Sequence, residues 1–167
     1  VRKHVPSNDP TTGLWGRSVK TITKGFASEL VDFAPSERSK KLGFGESQLE
    51  GTVSAYNMLA RNNIAYLADE VGMGKTYIAL GVLGLLRHLN PHARVMIIAP
   101  RENIQRKWIK ELSNFVVHNW KIEDNCFKNL NGQPVYSPEY CGCLEESSYF
   151  SRIKDRRDPF LRMTMFS

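Results

Sequence analysis

Nowhere in the 167 residues does an apolar run approach the roughly 18 residues of a membrane-crossing helix, and no charged-then-apolar leader opens the chain. A membrane partner is therefore not expected. Cysteine is scarce: there are three, an odd number without a disulfide-like framework. That excludes a disulfide-stapled secreted scaffold and fits a reducing intracellular setting. Internal repeats and low-complexity tracts are absent too.

What is present suits one globular domain. Hydrophobic residues make up 41% of the chain and charged residues 24%, enough apolar side chain for a core and too little charge for wholesale disorder. The formal net charge is +6 and the isoelectric point is near 9.3. This suits a polyanionic partner, although an ordinary solvated surface gives the same number.

Four stretches follow in order. Residues 1–45 form an N-terminal extension rich in Pro, Gly, Ser, Thr and Lys, irregular in part, with a turn or two of helix expected over Ser28–Phe33. Leu14, Trp15 and Phe26 offer apolar side chains that could dock on a neighbouring surface. The Arg38, Lys40, Lys41 patch reads first as solvated charge and second as a nucleic-acid contact. Residues 46–117 carry the strongest pattern. Leu49, Val53, Tyr56 and Ala60 mark an amphipathic helix that Ser47 could help start, ended by Arg61-Asn62-Asn63. The apolar run Ile64–Ala68 predicts a strand, and Ile78, Ala79, Val82, Leu86 and Leu89 predict a helix from Thr76 that stops at Asn90-Pro91. Val95–Ala99 predicts a parallel strand covered on both faces, closed by Pro100, and Ile104, Trp108, Leu112 and Phe115 a further helix. Residues 118–160 read as an insertion, with Leu144–Asp158 charged and potentially helical, and 161–167 as the start of another sheet strand. The alternation predicts an α/β fold with an open parallel sheet and ligands at the carboxyl ends of its strands.

The element around which this is organised is Ala68-Asp69-Glu70-Val71-Gly72-Met73-Gly74-Lys75-Thr76. Strand, glycine-bearing turn, Lys-Thr, helix is the order a phosphate-binding loop requires. Glycines let backbone N–H groups turn inward around phosphate oxygens, and the helix N-terminus adds partial positive charge at the same anion. Lys75 would reach the β- and γ-phosphates, and the Thr76 hydroxyl would ligate Mg²⁺. Asp69 stands where the strict Gly-x-x-x-x-Gly-Lys-Thr pattern has its first glycine. A Gly-Lys-Thr turn at a helix start without a ligand is the plainer alternative.

With its flanking motifs the chain resembles the Swi/Snf-like branch of the superfamily-two helicase ATPases. The family loop commonly reads Asp-Glu-Met-Gly-Leu-Gly-Lys-Thr, against Asp69-Glu70-Val71-Gly72-Met73-Gly74-Lys75-Thr76 here. Gln48-Leu49-Glu50-Gly51 is similar to the family's upstream Gln-Leu-Glu-Gly. Ala99-Pro100 followed by Trp108 and Glu111 is similar to its Ala-Pro and Trp-x-x-Glu. Valine at position 71 resembles bacterial members more than chromatin remodellers.

The resemblance implies an incomplete RecA-like P-loop NTPase lobe, a parallel sheet with flanking helices. It implies ATP and Mg²⁺ as ligands, Gln48 reading the adenine edge, and residues 69–76 holding the nucleotide. Arg101 and Asn103 would contact a nucleic-acid backbone, duplex DNA before RNA, in the cytoplasm at the bacterial nucleoid. A bland reading stands beside each role: Arg101 and Asn103 as a solvated helix start, Lys107 and Lys110 as surface charges, Trp108 as core packing.

Such an ATPase also needs an acidic pair closing a later apolar strand, one carboxylate for Mg²⁺ and one for the attacking water. Asp69-Glu70 lies before the loop, Glu123-Asp124 follows only Trp-Lys-Ile, and Glu145-Glu146 follows Cys-Gly-Cys-Leu. No second lobe with its arginine follows either. The expectation is a portion of a longer protein, consistent with Val1 at the start and the strand-like Leu161–Phe166 near the end. Alone it would bind nucleotide without hydrolysing it well. A non-catalytic module that keeps the loop as a fold element, docking nucleic acid or a protein, is the alternative from another class. Cys126, Cys141 and Cys143 with His118 could surround zinc, but their spacing is irregular and free thiols are the favoured reading.

Overall fold

Local chemistry sets the helix boundaries. The computed structural model describes residues 20–68, 72, 74–124, 127–133, 139–141, 143 and 161–165. The Thr23 hydroxyl accepts the Phe26 amide at 3.2 Å and starts α1 (Lys24–Leu30). Ser36 and Ser39 exchange a reciprocal capping box around the start of α2 (Glu37–Leu42). The long α3 (Gly45–Asn62) ends because Asn63 adopts φ 60°, a left-handed conformation that asparagine tolerates, and its amide closes on Leu59 O at 2.9 Å. Ser47 does not start this helix: it sits inside the first turn, its hydroxyl donating to Phe44 O at 3.0 Å. The remaining elements are α4 (Lys75–Leu89), β1 (Val95–Ala99), α5 (Glu102–His118), β2 (Glu139–Cys141) and β3 (Leu161–Met165).

The three strands form one parallel sheet in the order β1-β3-β2, with Ile97 opposite Met163 and Met163 opposite Tyr140. Two strand expectations need correction. Ile64–Ala68 carries no strand; no neighbouring strand lies beside it among the described residues, so its backbone has no ladder to join, and Ile64 and Tyr66 stay 70% and 81% exposed. Nor is β1 covered on both faces. Val95 and Ile97 pack on the core, whereas Met96 and Ile98 on the opposite face are about half exposed.

The core lies among the helices. Leu80, Leu83 and Leu85 of α4 meet Leu49 and Tyr56 of α3 and Leu112, Phe115 and Val116 of α5. Residues ahead of α3 join them: Ala27, Leu30, Val31 and Phe33 are buried. Val31 forms an antiparallel bridge to Trp120 just beyond α5, flanked by Asp32 N donating to Asn119 O (2.8 Å) and Lys121 N to Leu30 O (2.9 Å). Asn57 of α3 clamps the Ile22 backbone through both its amide atoms, at 2.8 and 2.9 Å. Leu14, Trp15 and the Leu144–Asp158 segment lie outside the described residues.

Candidate nucleotide site

The site begins with backbone conformation. Gly72 (φ 95°) and Gly74 (φ 80°) are both left-handed, a region that costs an L side chain roughly 1–2 kcal/mol. Gly74 is the N-cap of α4 and makes no side-chain cap, so Lys75 and Thr76 are the helix's first two residues and its first-turn amides face outward without a capping side chain. Ile78 N donates to Gly74 O at 3.1 Å and closes that turn. Lys75 and Thr76 are both half-buried. Asp69, Glu70, Val71 and Met73 lie outside the described residues.

Packing of α3 against α4 then carries Gln48 to the loop. Thr52, wholly buried, donates its hydroxyl to Gln48 O at 2.8 Å and lies 3.4 Å from Ile78 O, so one side chain ties the two helices. Small residues allow the approach: a Cβ on Gly81 would fall 2.8 Å from Thr52 Cγ2 and 2.9 Å from Phe33 Cζ. As a result the Gln48 amide lies directly over the loop's last glycine, where a Cβ on Gly74 would sit 2.2 Å from Gln48 Nε2. A cavity of about 590 Å³ opens beside Gln48, walled by Phe33, Leu42, Phe44, Tyr77 and Asn114, among others. That volume falls within the roughly 300–1,000 Å³ of small-molecule sites.

One link escaped the sequence reading. The Tyr77 hydroxyl, next to Thr76, donates to the Glu111 carboxylate of the Trp-x-x-Glu stretch; burial first, and this bond second, push the tyrosine up to about 12. It joins the helix behind the loop to α5, and no periodicity along either helix signals it.

Arg101 and Asn103 sit elsewhere, exposed where α5 opens at the carboxyl end of β1. Their neighbour Glu102 is held by Arg106 Nε at 3.0 Å. Lys107 and Lys110 are exposed, and Trp108 packs against the core. Of the candidate zinc ligands, Cys126 is outside the described residues, Cys141 is buried in β2, and His118 lines the cavity. No group of three or more His, Cys, Asp or Glu suited to a metal occurs among the described residues.

Two left-handed glycines, a helix opening without a side-chain cap and a glutamine laid across the second glycine thus stand together at the start of α4. The class they belong to is the helicase-like ATP-binding domain, a RecA-like P-loop fold. A family model described as type III restriction enzyme, res subunit, matches residues 37–145, and the chain belongs to that family. No curated protein and no solved structure matches it.

Proposed function

We propose that the chain is the ATP-binding front of the first RecA-like lobe of a Swi/Snf-like ATPase, one that translocates on double-stranded DNA in a bacterial nucleoid. One observation carries this reading: the Gln48 amide against Gly74, which sets an adenine-reading group beside a phosphate-binding turn. The matched family's name, a restriction enzyme subunit, favours DNA over RNA as the polymer.

Residues 69–76 would wrap the nucleotide's phosphates. Amides around Gly72 and Gly74 and the first turn of α4 would donate to phosphate oxygens, and Lys75 would supply a point charge. Thr76 would hold Mg²⁺ through its hydroxyl, and Arg101 and Asn103 would hold the DNA backbone at the start of α5. Bound Mg·ATP supplies the phosphoanhydride whose hydrolysis drives the whole enzyme along its track. After the loop, the sequence holds no apolar run closed by an acidic pair, so in this reading the chain alone binds and orients nucleotide without efficient turnover.

The test is titration with a fluorescent ATP analogue and Mg²⁺. Lys75→Ala removes a charge-assisted contact of about 1.5–3 kcal/mol and should weaken binding by roughly 10- to 100-fold. Equal affinity in both proteins would leave the loop as a fold element only, the binding-module alternative.

A further inference from the structure

The six residues of α2 form a small helix that is self-contained. None is buried, and its polar bonds are largely its own: the Ser36–Ser39 capping box, Lys40 Nζ to Glu37 Oε1 at 2.8 Å, and Gly43 N to Lys40 O at 3.1 Å. It is bounded by Pro35 and by Gly43, which is left-handed at φ 71° with open space around its Cβ position. One face of it looks into the cavity: Ser36, Ser39 and Leu42, spaced three apart, all line the wall, while Glu37, Arg38, Lys40 and Lys41 stay exposed. Leu42 and Phe44 line the same cavity yet remain 59% and 43% exposed. Gln48 belongs both to this cavity and to the phosphate loop, since its amide touches Gly74.

We infer that α2 is a lid that swings about Pro35 and Gly43 and closes Leu42 toward the fixed Phe44, at the N-cap of α3, over the base of a nucleotide whose phosphates lie at Gly74 and Lys75. The inference rests on the nucleotide reading above. The occupant follows from continuity: whatever fills the cavity next to Gln48 lies beside the phosphate-binding turn, and a flat apolar ring with polar edges suits walls of Leu42, Phe44, Tyr77 and Asn114. Closure removes two half-exposed apolar side chains from water, so a base-bearing ligand favours the closed state and a phosphate chain alone does not.

The experiment compares ATP with inorganic tripolyphosphate, each with Mg²⁺, on wild type, Leu42→Ala/Phe44→Ala and Lys75→Ala, reading affinity by calorimetry and amide exchange over residues 37–43. Leu42 on the lid and Phe44 beside its hinge are both about half exposed and outside the core cluster, so the double variant should fold. The expected result is that wild type binds ATP more tightly than tripolyphosphate. The double variant loses about tenfold in ATP affinity with tripolyphosphate unchanged, and α2 amides are protected by ATP alone. If ATP and tripolyphosphate bind wild type equally, or if the double variant keeps its ATP affinity, the lid is overturned while Lys75-dependent binding still stands. If Lys75→Ala binds both ligands as wild type does, or wild type binds neither, the nucleotide reading falls and the lid with it.

Discussion

Gly81→Ala puts the α3–α4 contact to a quantitative test. The added methyl would lie 2.8 Å from Thr52 Cγ2, 2.9 Å from Thr52 Oγ1 and 2.9 Å from Phe33 Cζ, against the roughly 3.5–4.0 Å at which carbon atoms attract. Neither neighbour gives way easily. Thr52 is β-branched, wholly buried and bonded to Gln48 O, and the Phe33 ring packs on Phe115 at a centroid distance of 6.3 Å. Replacing a mid-helix glycine gains about 0.8–1 kcal/mol of helix propensity, but overpacking a close-packed contact costs typically about 1–3 kcal/mol. The second term wins. A net loss of up to about 2 kcal/mol is expected, read as a fall in Tm of up to roughly 8 °C for a domain of this size. Because Thr52 is bonded to the Gln48 carbonyl, affinity for an ATP analogue should fall in the same variant. Gly51→Ala is the control: there the one tight contact of the new methyl is the Ile78 tip, Cδ1 at 3.1 Å, while Cγ1 and Cγ2 lie at ordinary distances of 3.6 and 3.7 Å, so stability should hold or rise by up to about 1 kcal/mol. A Gly81→Ala protein at least as stable as wild type would refute the claim that this glycine sets the spacing of the two helices.

Further tests address single contacts. Tyr77 is neutral in the fold up to about 12, whereas an unfolded tyrosine ionises from its ordinary value of 10.0. Its contribution is therefore complete below pH 10 and is lost as pH rises toward 12, so the difference in stability between wild type and Tyr77→Phe should shrink across that window; a constant difference in urea unfolding would count against it. Asn57→Leu leaves Ile22 N and O without their partners at 2.8 and 2.9 Å and should cost about 1–3 kcal/mol, with faster amide exchange at Ile22 as the specific sign. Gln48→Ala should weaken ATP-analogue binding by several-fold and leave tripolyphosphate binding untouched; a parallel loss for both ligands would mean that Gln48 supports the loop and does not read the base.

Helix positions were legible because they obey local rules. The apolar stripes Leu49–Val53–Tyr56–Ala60 and Ile104–Trp108–Leu112–Phe115 repeat at the helical period, Asn63 closes the first, and Asn90-Pro91 closes α4 as its backbone chemistry requires. The strand expected at Ile64–Ala68 failed for the converse reason: an apolar run becomes a strand only when another strand lies beside it, and residues 64–68 do not encode that neighbour. Around the site, motif order hinted at a relation between Gln48 and Gly74, but their contact depends on how closely Thr52 and Gly81 let two helices approach. The cavity wall was not legible at all. Six residues of α2 are too short to show a period, and the Tyr77–Glu111 bond joins positions that only packing unites.

The strand-like bridge of Val31 to Trp120 has a practical bearing on how the domain is cut from its gene. The family match begins at residue 37, and a clone trimmed to that boundary would discard Ala27, Leu30, Val31 and Phe33, four side chains at most 7% exposed. It would also uncover one side of Trp120 and Phe115 and strip a wall from the cavity. Such a trimmed protein would be sticky and short-lived for want of its own buckle, and expression boundaries belong ahead of Ile22, where Asn57 fastens the strap.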